Sequence, residues 1–281
     1  MSSGTIFDIK EFAVYDGPGI RLTVFFKGCP IKCNWCHNPE GQNPHPELMV
    51  NKASCISCGQ CKEACTQEKC IACGKCITCC PLNLRKICGY TLTAEELTEY
   101  INDKSDYYAK YGGGVTFSGG EPLMQPQFLT DTLSLLKDIH TAVETSGYAD
   151  NRIFTSVAEM VDYVIMDVKL IDSKLHLKYT GVDNRIILEN LESLCKGNTK
   201  FVVRIPVIPG VNDNASTYRS VAKLIKDAPM LEQIELLPYH KTAGAKYEMI
   251  NRKYEPIFDV NRPVFINQDI FSQYGIRSAV L

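Results

Sequence analysis

A chain of 281 residues with 45% hydrophobic and 22% charged side chains suits one large soluble α/β unit with room for a small insert. Its formal net charge of −2 gives no electrostatic footprint for a nucleic acid or an anionic membrane, and no apolar run approaches the length of a membrane span. Fourteen cysteines behind an opening, Met1-Ser2-Ser3-Gly4-Thr5, that lacks a basic and apolar leader point to a cytoplasmic chain that ligates metal instead of forming disulfides.

Residues 5–15 alternate enough for a short strand, with Ile6, Ile9, Phe12 and Val14 as inward candidates, until Gly17-Pro18-Gly19 breaks it. Residues 22–28 read as a strand buried on both faces. They feed a loop carrying Cys29, Cys33 and Cys36, three soft thiolates of the kind that hold zinc or an iron–sulfur cluster. No fourth cysteine follows before Cys55, so a cubane here would keep one iron open to a small molecule. A zinc knuckle on the same cysteines plus His37 is the competing reading, but adjacent Cys36 and His37 are poorly placed to face one tetrahedral ion.

From residue 55 the character changes. Cys55-x2-Cys58-x2-Cys61-x3-Cys65 is followed, after four residues, by Cys70-x2-Cys73-x2-Cys76-x3-Cys80-Pro81. The second run is that of bacterial ferredoxins, proline included; the first has Thr66 in the proline's place. In two-cluster ferredoxins the fourth cysteine of each run serves the other cluster. Transferred here, the pattern puts one cluster on Cys55, Cys58, Cys61 and Cys80 and another on Cys65, Cys70, Cys73 and Cys76. Zinc is the alternative occupant, and Cys79 and Cys88 remain as substitute ligands. Cys195 lies in a helical pattern and reads as core packing.

Thr93-Ala94-Glu95-Glu96 is a capping box that opens a helix to about residue 103. Strands are predicted over 115–117, 141–143, 161–168, 201–207 and 234–237, and helices over 128–139, 188–194 and 218–225. A last helix over 268–274 precedes a terminal strand over 276–281. Alternating strands and helices predict parallel βαβ units, whose functional side chains gather at the C-terminal strand ends. Ser118-Gly119-Gly120-Glu121-Pro122, Glu144-Thr145-Ser146-Gly147, Asp167-Val168-Lys169 and Arg204 each follow or end such a strand, and His240 follows the strand at 234–237.

The spacing Cys29-x3-Cys33-x-Trp35-Cys36, flanked by Asp16-Gly17-Pro18-Gly19-Ile20-Arg21 and His37-Asn38-Pro39, resembles the radical S-adenosylmethionine (SAM) enzymes that activate glycyl radical enzymes. The resemblance covers residues 5–50 and about 90–240. It implies a partial (β/α)6 TIM-type barrel over 1–50 and 90–281, with a ferredoxin-like insert over 51–89. It implies a [4Fe-4S] cluster on Cys29, Cys33 and Cys36, which with the two of the ferredoxin-like run makes three, and SAM held by Trp35, His37, Gly119, Gly120, Glu121, Glu144, Lys169, Arg204 and His240. A monovalent cation beside Glu144 and Asp167 belongs to the same pattern, as does Asp16 at the entry of the partner's glycine loop. The implied activity is reductive cleavage of SAM to methionine and a 5′-deoxyadenosyl radical, which takes a hydrogen from a glycine Cα of a partner glycyl radical enzyme. A flavodoxin or ferredoxin-type reductant is the implied electron source, the chain itself being expected as a monomer. The insert serves as an electron relay, a docking face or a metal-dependent structural element. Two other functions fit parts of the sequence. A radical SAM enzyme for a small molecule or peptide would share the cysteine loop without needing Asp16-Gly17-Pro18-Gly19; a non-catalytic electron carrier would explain residues 55–81 and leave the barrel motifs idle.

Overall fold

The computed structural model describes residues 2–281. Eleven strands are formed: β1 (Ser3–Ala13), β2 (Arg21–Phe26), β3 (Glu47–Val50), β4 (Arg85–Cys88), β5 (Tyr90–Thr93), β6 (Gly114–Gly119), β7 (His140–Thr145), β8 (Tyr163–Asp167), β9 (Lys200–Val207), β10 (Leu231–Pro238) and β11 (Ser278–Val280). The α-helices are α1 (Gln60–Glu63), α2 (Lys75–Thr78), α3 (Ala94–Asn102), α4 (Ser105–Lys110), α5 (Pro126–Leu135), α6 (Asn151–Met160), α7 (Ser173–Thr180), α8 (Arg185–Lys196), α9 (Ala215–Ile225) and α10 (Asp269–Ser272). No helix among the described residues is long and apolar enough to cross a membrane.

Nine strands make one sheet in the order β11-β10-β9-β8-β7-β6-β2-β1-β5. Strands β2, β6, β7, β8, β9 and β10 run parallel in register, as the predicted βαβ alternation requires, and β11 adds a short parallel strand beside β10. The end strands β11 and β5 are not neighbours, so the barrel stays open. On the outer face, Leu22, Val24, Phe117, Val164, Val203 and Ile234 pack with helix residues such as Leu97, Phe128, Phe154, Leu191 and Tyr218 in one continuous core. Fully burying one such side chain stabilises the fold by about 1.5–3 kcal/mol, so this layer supplies most of the rigidity of the strand ends. Alternate residues face the lumen, where Ala142, Tyr163, Ile165 and Val202 form a small inner core of their own.

The capping box forms as written: Thr93 Oγ1 accepts from the Glu96 amide at 3.2 Å, and Glu96 Oε2 accepts from the Thr93 amide at 2.8 Å. Strand β1 corrects one expectation. Ile6 is fully buried and Ile9 packs on the core, but Phe12 and Val14 are exposed. A positive φ of 62° at Phe12 and a register shift between Lys10 and Ala13 end the alternation there. Helices α4, α6 and α7 were not anticipated, nor was the β3–β4 ribbon. This ribbon pairs Glu47 with Cys88 through to Val50 with Arg85 and forms the neck of the cysteine-rich insert. Beyond it, the two cysteine runs share a backbone trace. Ser57 and Ala72 take φ of 56° and 53°, Gly59 and Gly74 take 86° and 79°, and each glycine opens a one-turn helix, α1 or α2.

Candidate functional site: a cysteine loop over the barrel mouth

Strand β2 delivers the chain to Gly28, and the loop beyond is held by backbone bonds on two sides. The amides of Gly28 and Cys29 donate to the carbonyls of Gly41 and Gln42, at 2.7 and 3.1 Å. On the other side, the amides of Lys32 and Asn34 donate to the Thr180 and Tyr179 carbonyls at the end of α7. That helix is fixed by Asp172, which accepts from the Leu175 amide, and by Gly181 at φ 81°. The Gly119-Gly120 pair closes against the same loop: the Gly120 amide donates to Phe26 and the Glu121 amide to Gly28, both at 2.8 Å. A Cβ on Gly120 would lie 2.4 Å from both the Gly28 and Gly41 oxygens, so glycine is required by close backbone approach.

Beneath the loop lies a cavity of about 250 Å³. Cys29, Cys33 and Cys36 line it with Trp35, His37, Gly119, Gly120, Glu144, Asp167, Lys169 and Arg204, so most of the residues expected to hold SAM do meet in one place. Trp35 contributes an edge only; it is 4% exposed and packs among Leu170, Tyr179, Ile208 and Val211. Burial, together with the neighbouring Glu121 carboxylate and the other two thiols, holds the Cys29 thiol well above its ordinary value. Burial likewise pushes Cys33 up to about 12 and raises Cys36. For both, Lys169 works in the opposite direction without overcoming burial. Three crowded thiols that resist ionisation need positive charge to become thiolates, and iron supplies it: the donor set fits a cluster. Among the described residues no group of three or more His, Cys, Asp or Glu side chains closes on one point as a single ion requires. A cubane instead places each thiolate on its own iron.

Below the mouth, ion pairs fill the lumen. Lys169 Nζ lies 2.8 Å from Asp167 Oδ2. Burial alone would lower Lys169, but the adjacent Asp167 carboxylate raises it, so it stays charged. Arg204 donates through Nη1 to Glu144 Oε1 at 2.5 Å, through Nη2 and Nε to Glu235 Oε2 at 2.8 and 3.0 Å, and through Nη2 to the Tyr15 carbonyl. Burial opposes its charge, and Glu144 and Glu235 more than restore it. Ser118 Oγ donates to the other Glu144 oxygen. Burial raises the Glu144 carboxyl despite Arg204.

Three of the expected residues or pairs stand apart from this lining or are already paired. Glu121 does not line the cavity: it is fully buried, and its oxygens accept from Thr145 Oγ1, Ser146 N and Oγ, and Leu123 N. Burial raises its carboxyl, and these donors oppose the rise. It clamps the β6 and β7 ends together, while the glycines before it present backbone to the cavity. His240 is exposed, bonded through Nδ1 to Thr242 Oγ1 at 2.8 Å, and stands outside the lining, near His37. Glu144 and Asp167, the expected cation pair, are each ion-paired with a side chain, Arg204 and Lys169 respectively. Glu235 was not singled out from sequence; its place one residue after Ile234 on a lumen-facing strand was the available signal.

Asp16 lies at the opposite end of the strands from the cysteines. Its Oδ2 accepts from Thr23 Oγ1 at 2.7 Å and its carbonyl from Thr116 Oγ1 at 2.6 Å. Arg21, with no exposed surface, pins the loop by donating to Pro18 and Val115 carbonyls and to Thr116 Oγ1. With Tyr15 held by Arg204, the Asp16 loop closes the lumen floor beneath the cavity.

The insert sorts its cysteines. Cys55, Cys58, Cys61 and Cys80 line one cavity of about 160 Å³. Cys65, Cys70, Cys73 and Cys76 line a second of about 260 Å³, which Cys61 also borders. Cys79 lines neither, and Cys88 is buried among Phe7, Phe25, Met49 and Ile250. Cys195 packs against the barrel core, where burial pushes its thiol up to about 11.

The Radical SAM superfamily profile matches residues 23–220. The isethionate sulfite-lyase activating enzyme of Oleidesulfovibrio alaskensis is 38% identical over 278 residues, covering 90% of this chain and 88% of that protein. The (2S)-3-sulfopropanediol dehydratase activating enzyme of Klebsiella oxytoca is 35% identical over 306 residues, covering 99% of this chain and 96% of that one. Among solved structures, QueE from Escherichia coli shares the fold at a TM-score of 0.51 and 14% identity, over 99% of this chain and 94% of that one.

Proposed function

This chain belongs to the radical SAM superfamily and, within it, to the activating enzymes of glycyl radical enzymes; we propose that Cys29, Cys33 and Cys36 hold the [4Fe-4S] cluster and that SAM lies in the cavity beneath them. When bound, the cluster supplies the single electron that breaks the sulfonium carbon–sulfur bond of SAM, and the adenosyl fragment takes a hydrogen atom from a glycine Cα of the partner. The observation that carries the assignment is the shared cavity: three cysteines, the Gly119-Gly120 backbone, Lys169 and the polar strand ends line one space.

The residues of the chain orient and shield. Gly119 and Gly120 offer backbone to the nucleotide at close range, and Lys169 offers a buried positive charge to its carboxylate. Glu144, Arg204 and Glu235 form a rigid charged floor below it, fixed before anything binds. Asp16, whose carboxylate accepts from Thr23 in the lumen, is the residue assigned to the backbone of the partner's glycine loop. In the insert, the two lining sets support one cluster on Cys55, Cys58, Cys61 and Cys80 and a second on Cys65, Cys70, Cys73 and Cys76. A flavodoxin or ferredoxin-type protein delivers the electrons.

The test is anaerobic reconstitution followed by addition of reductant and SAM. The expected results are about twelve irons per chain for three cubanes, with methionine and 5′-deoxyadenosine formed. A glycyl radical signal is expected on a co-incubated partner enzyme. Unchanged nucleotide cleavage in a Cys33→Ala, Cys36→Ala chain would overturn the assignment.

A further inference from the structure

The two cysteine-lined cavities of the insert share a wall, and Cys61, Lys62 and Arg85 border both. Arg85 opens β4, paired with Val50 of β3, so the ribbon fixes where its side chain starts. Its charge lies close to Cys61 and Cys80 of one set and to Cys76 of the other. The remaining basic side chains of the insert, Lys52, Lys62, Lys69, Lys75 and Lys86, are exposed, so water and salt screen them. Arg85 is partly withdrawn from solvent and its planar fork carries five donors, enough to address sulfurs on both sides.

We propose that Arg85 is a positioning residue for electron flow, a fixed positive charge shared by both insert clusters that raises the reduction potential of each. The proposal rests on the reading that these eight cysteines hold two clusters. Reduction adds one negative charge to a cluster, and a nearby cation favours the reduced form. The charge acts on each cluster independently, while the two clusters repel one another's added electron across the shared wall, so the second electron enters less readily than the first.

The test uses the full reconstituted chain with Cys29, Cys33 and Cys36 changed to Ala, so that only insert clusters contribute to an EPR-monitored redox titration. Arg85→Gln is expected to keep about eight irons while lowering both potentials, so that at a fixed poise the ratio of reduced to oxidised cluster falls about tenfold, equivalent to about 59 mV for one electron. Arg85→Lys, which keeps the charge, should retain most of the potential, and Lys62→Gln should move it little. Unmoved potentials at full iron content, or a shift in one cluster alone, would overturn the shared role. Equal loss in the Gln and Lys variants would also overturn it, by showing that the charge is not the agent. If Arg85→Gln fails to load iron, the comparison of Arg85→Lys with Lys62→Gln decides: a large drop in the second with none in the first assigns the effect to Lys62 and defeats the proposal. An iron content of about four in the chain with all fourteen cysteines would instead refute the two-cluster reading beneath it.

Discussion

Arg204 and Glu144 face each other across the lumen at 2.5 Å, from strands that are not neighbours in the sheet. The same guanidinium holds Glu235 Oε2 at 2.8 Å, so one buried cation satisfies two carboxylates and the Tyr15 carbonyl. Arg204→Met strands both carboxylates in the lumen. The expected cost is about 3–5 kcal/mol, the usual penalty for breaking one side of a buried pair. Urea denaturation of the variant beside wild type measures it, and a loss under about 1 kcal/mol, the range of an exposed pair, would show that the floor is solvated.

With Glu144 on Arg204 and Asp167 on Lys169, the negative charge at the strand ends is already balanced by side chains. SAM binding should therefore be indifferent to the monovalent cation. Exchanging potassium for a bulky organic cation at constant ionic strength is expected to change the SAM dissociation constant by less than about twofold, well under the tenfold that 1.4 kcal/mol would produce. Lys169→Gln should weaken binding and make it respond to added potassium, because Asp167 is then left uncompensated. Equilibrium dialysis with both proteins decides the matter.

Gly120 has no room for a side chain: its Cβ would sit 2.4 Å from two carbonyl oxygens, those of Gly28 before the cysteine loop and Gly41 after it. Gly120→Ala is expected to displace that loop and to cost the chain one cluster, about four irons, while the insert keeps its complement. Iron analysis, with the EPR response to added SAM, reads this directly. Full iron content with an unchanged SAM response would show that the loop tolerates the shift.

What was legible in the sequence was what repeats or spaces regularly. The cysteine triad, the doubled ferredoxin run and the β-branched strands carry their signal locally, and the capping box at Thr93 appears bond for bond. What failed was direction. Glu121 follows two glycines in a motif that suggests a ligand, yet the tight approach of Gly120 to the cysteine loop turns the carboxylate away, onto Thr145 and Ser146. Phe12 and Val14 continue an alternating pattern, but a residue at positive φ flips the chain out of register. Glu235 was missed because its place after Ile234 marks a lumen-facing position but not the arginine one strand away that it balances. Helix α7 was missed because it buries only His176, Tyr179 and Thr180, too narrow a face for a periodic pattern.

That same helix gives a pH prediction. His176 is 1% exposed, with Nδ1 2.8 Å from the Val182 carbonyl, and burial lowers its pKa despite that bond. The unfolded chain, with histidine near its usual value of about 6.5, then takes up a proton more readily than the folded one. The stability given by neutral His176 is therefore whole above about pH 6.5 and declines as pH falls toward the lower folded value. His37 and His140 shift in the same direction, while Glu121 and Glu144, raised by burial, gain protons earlier in the fold and oppose the decline. A double difference isolates His176. The destabilisation caused by His176→Asn should shrink as pH falls from about 7.5 to about 5.5, because the lowered folded pKa makes the wild-type chain lose stability over that range. Trp35, the sole tryptophan, is buried against Tyr179 at the end of α7 and reports urea unfolding beside the affected residue. A penalty that stays constant across that pH range would mean that His176 keeps its ordinary affinity for the proton, and that the anchor of the cysteine loop is blind to acid.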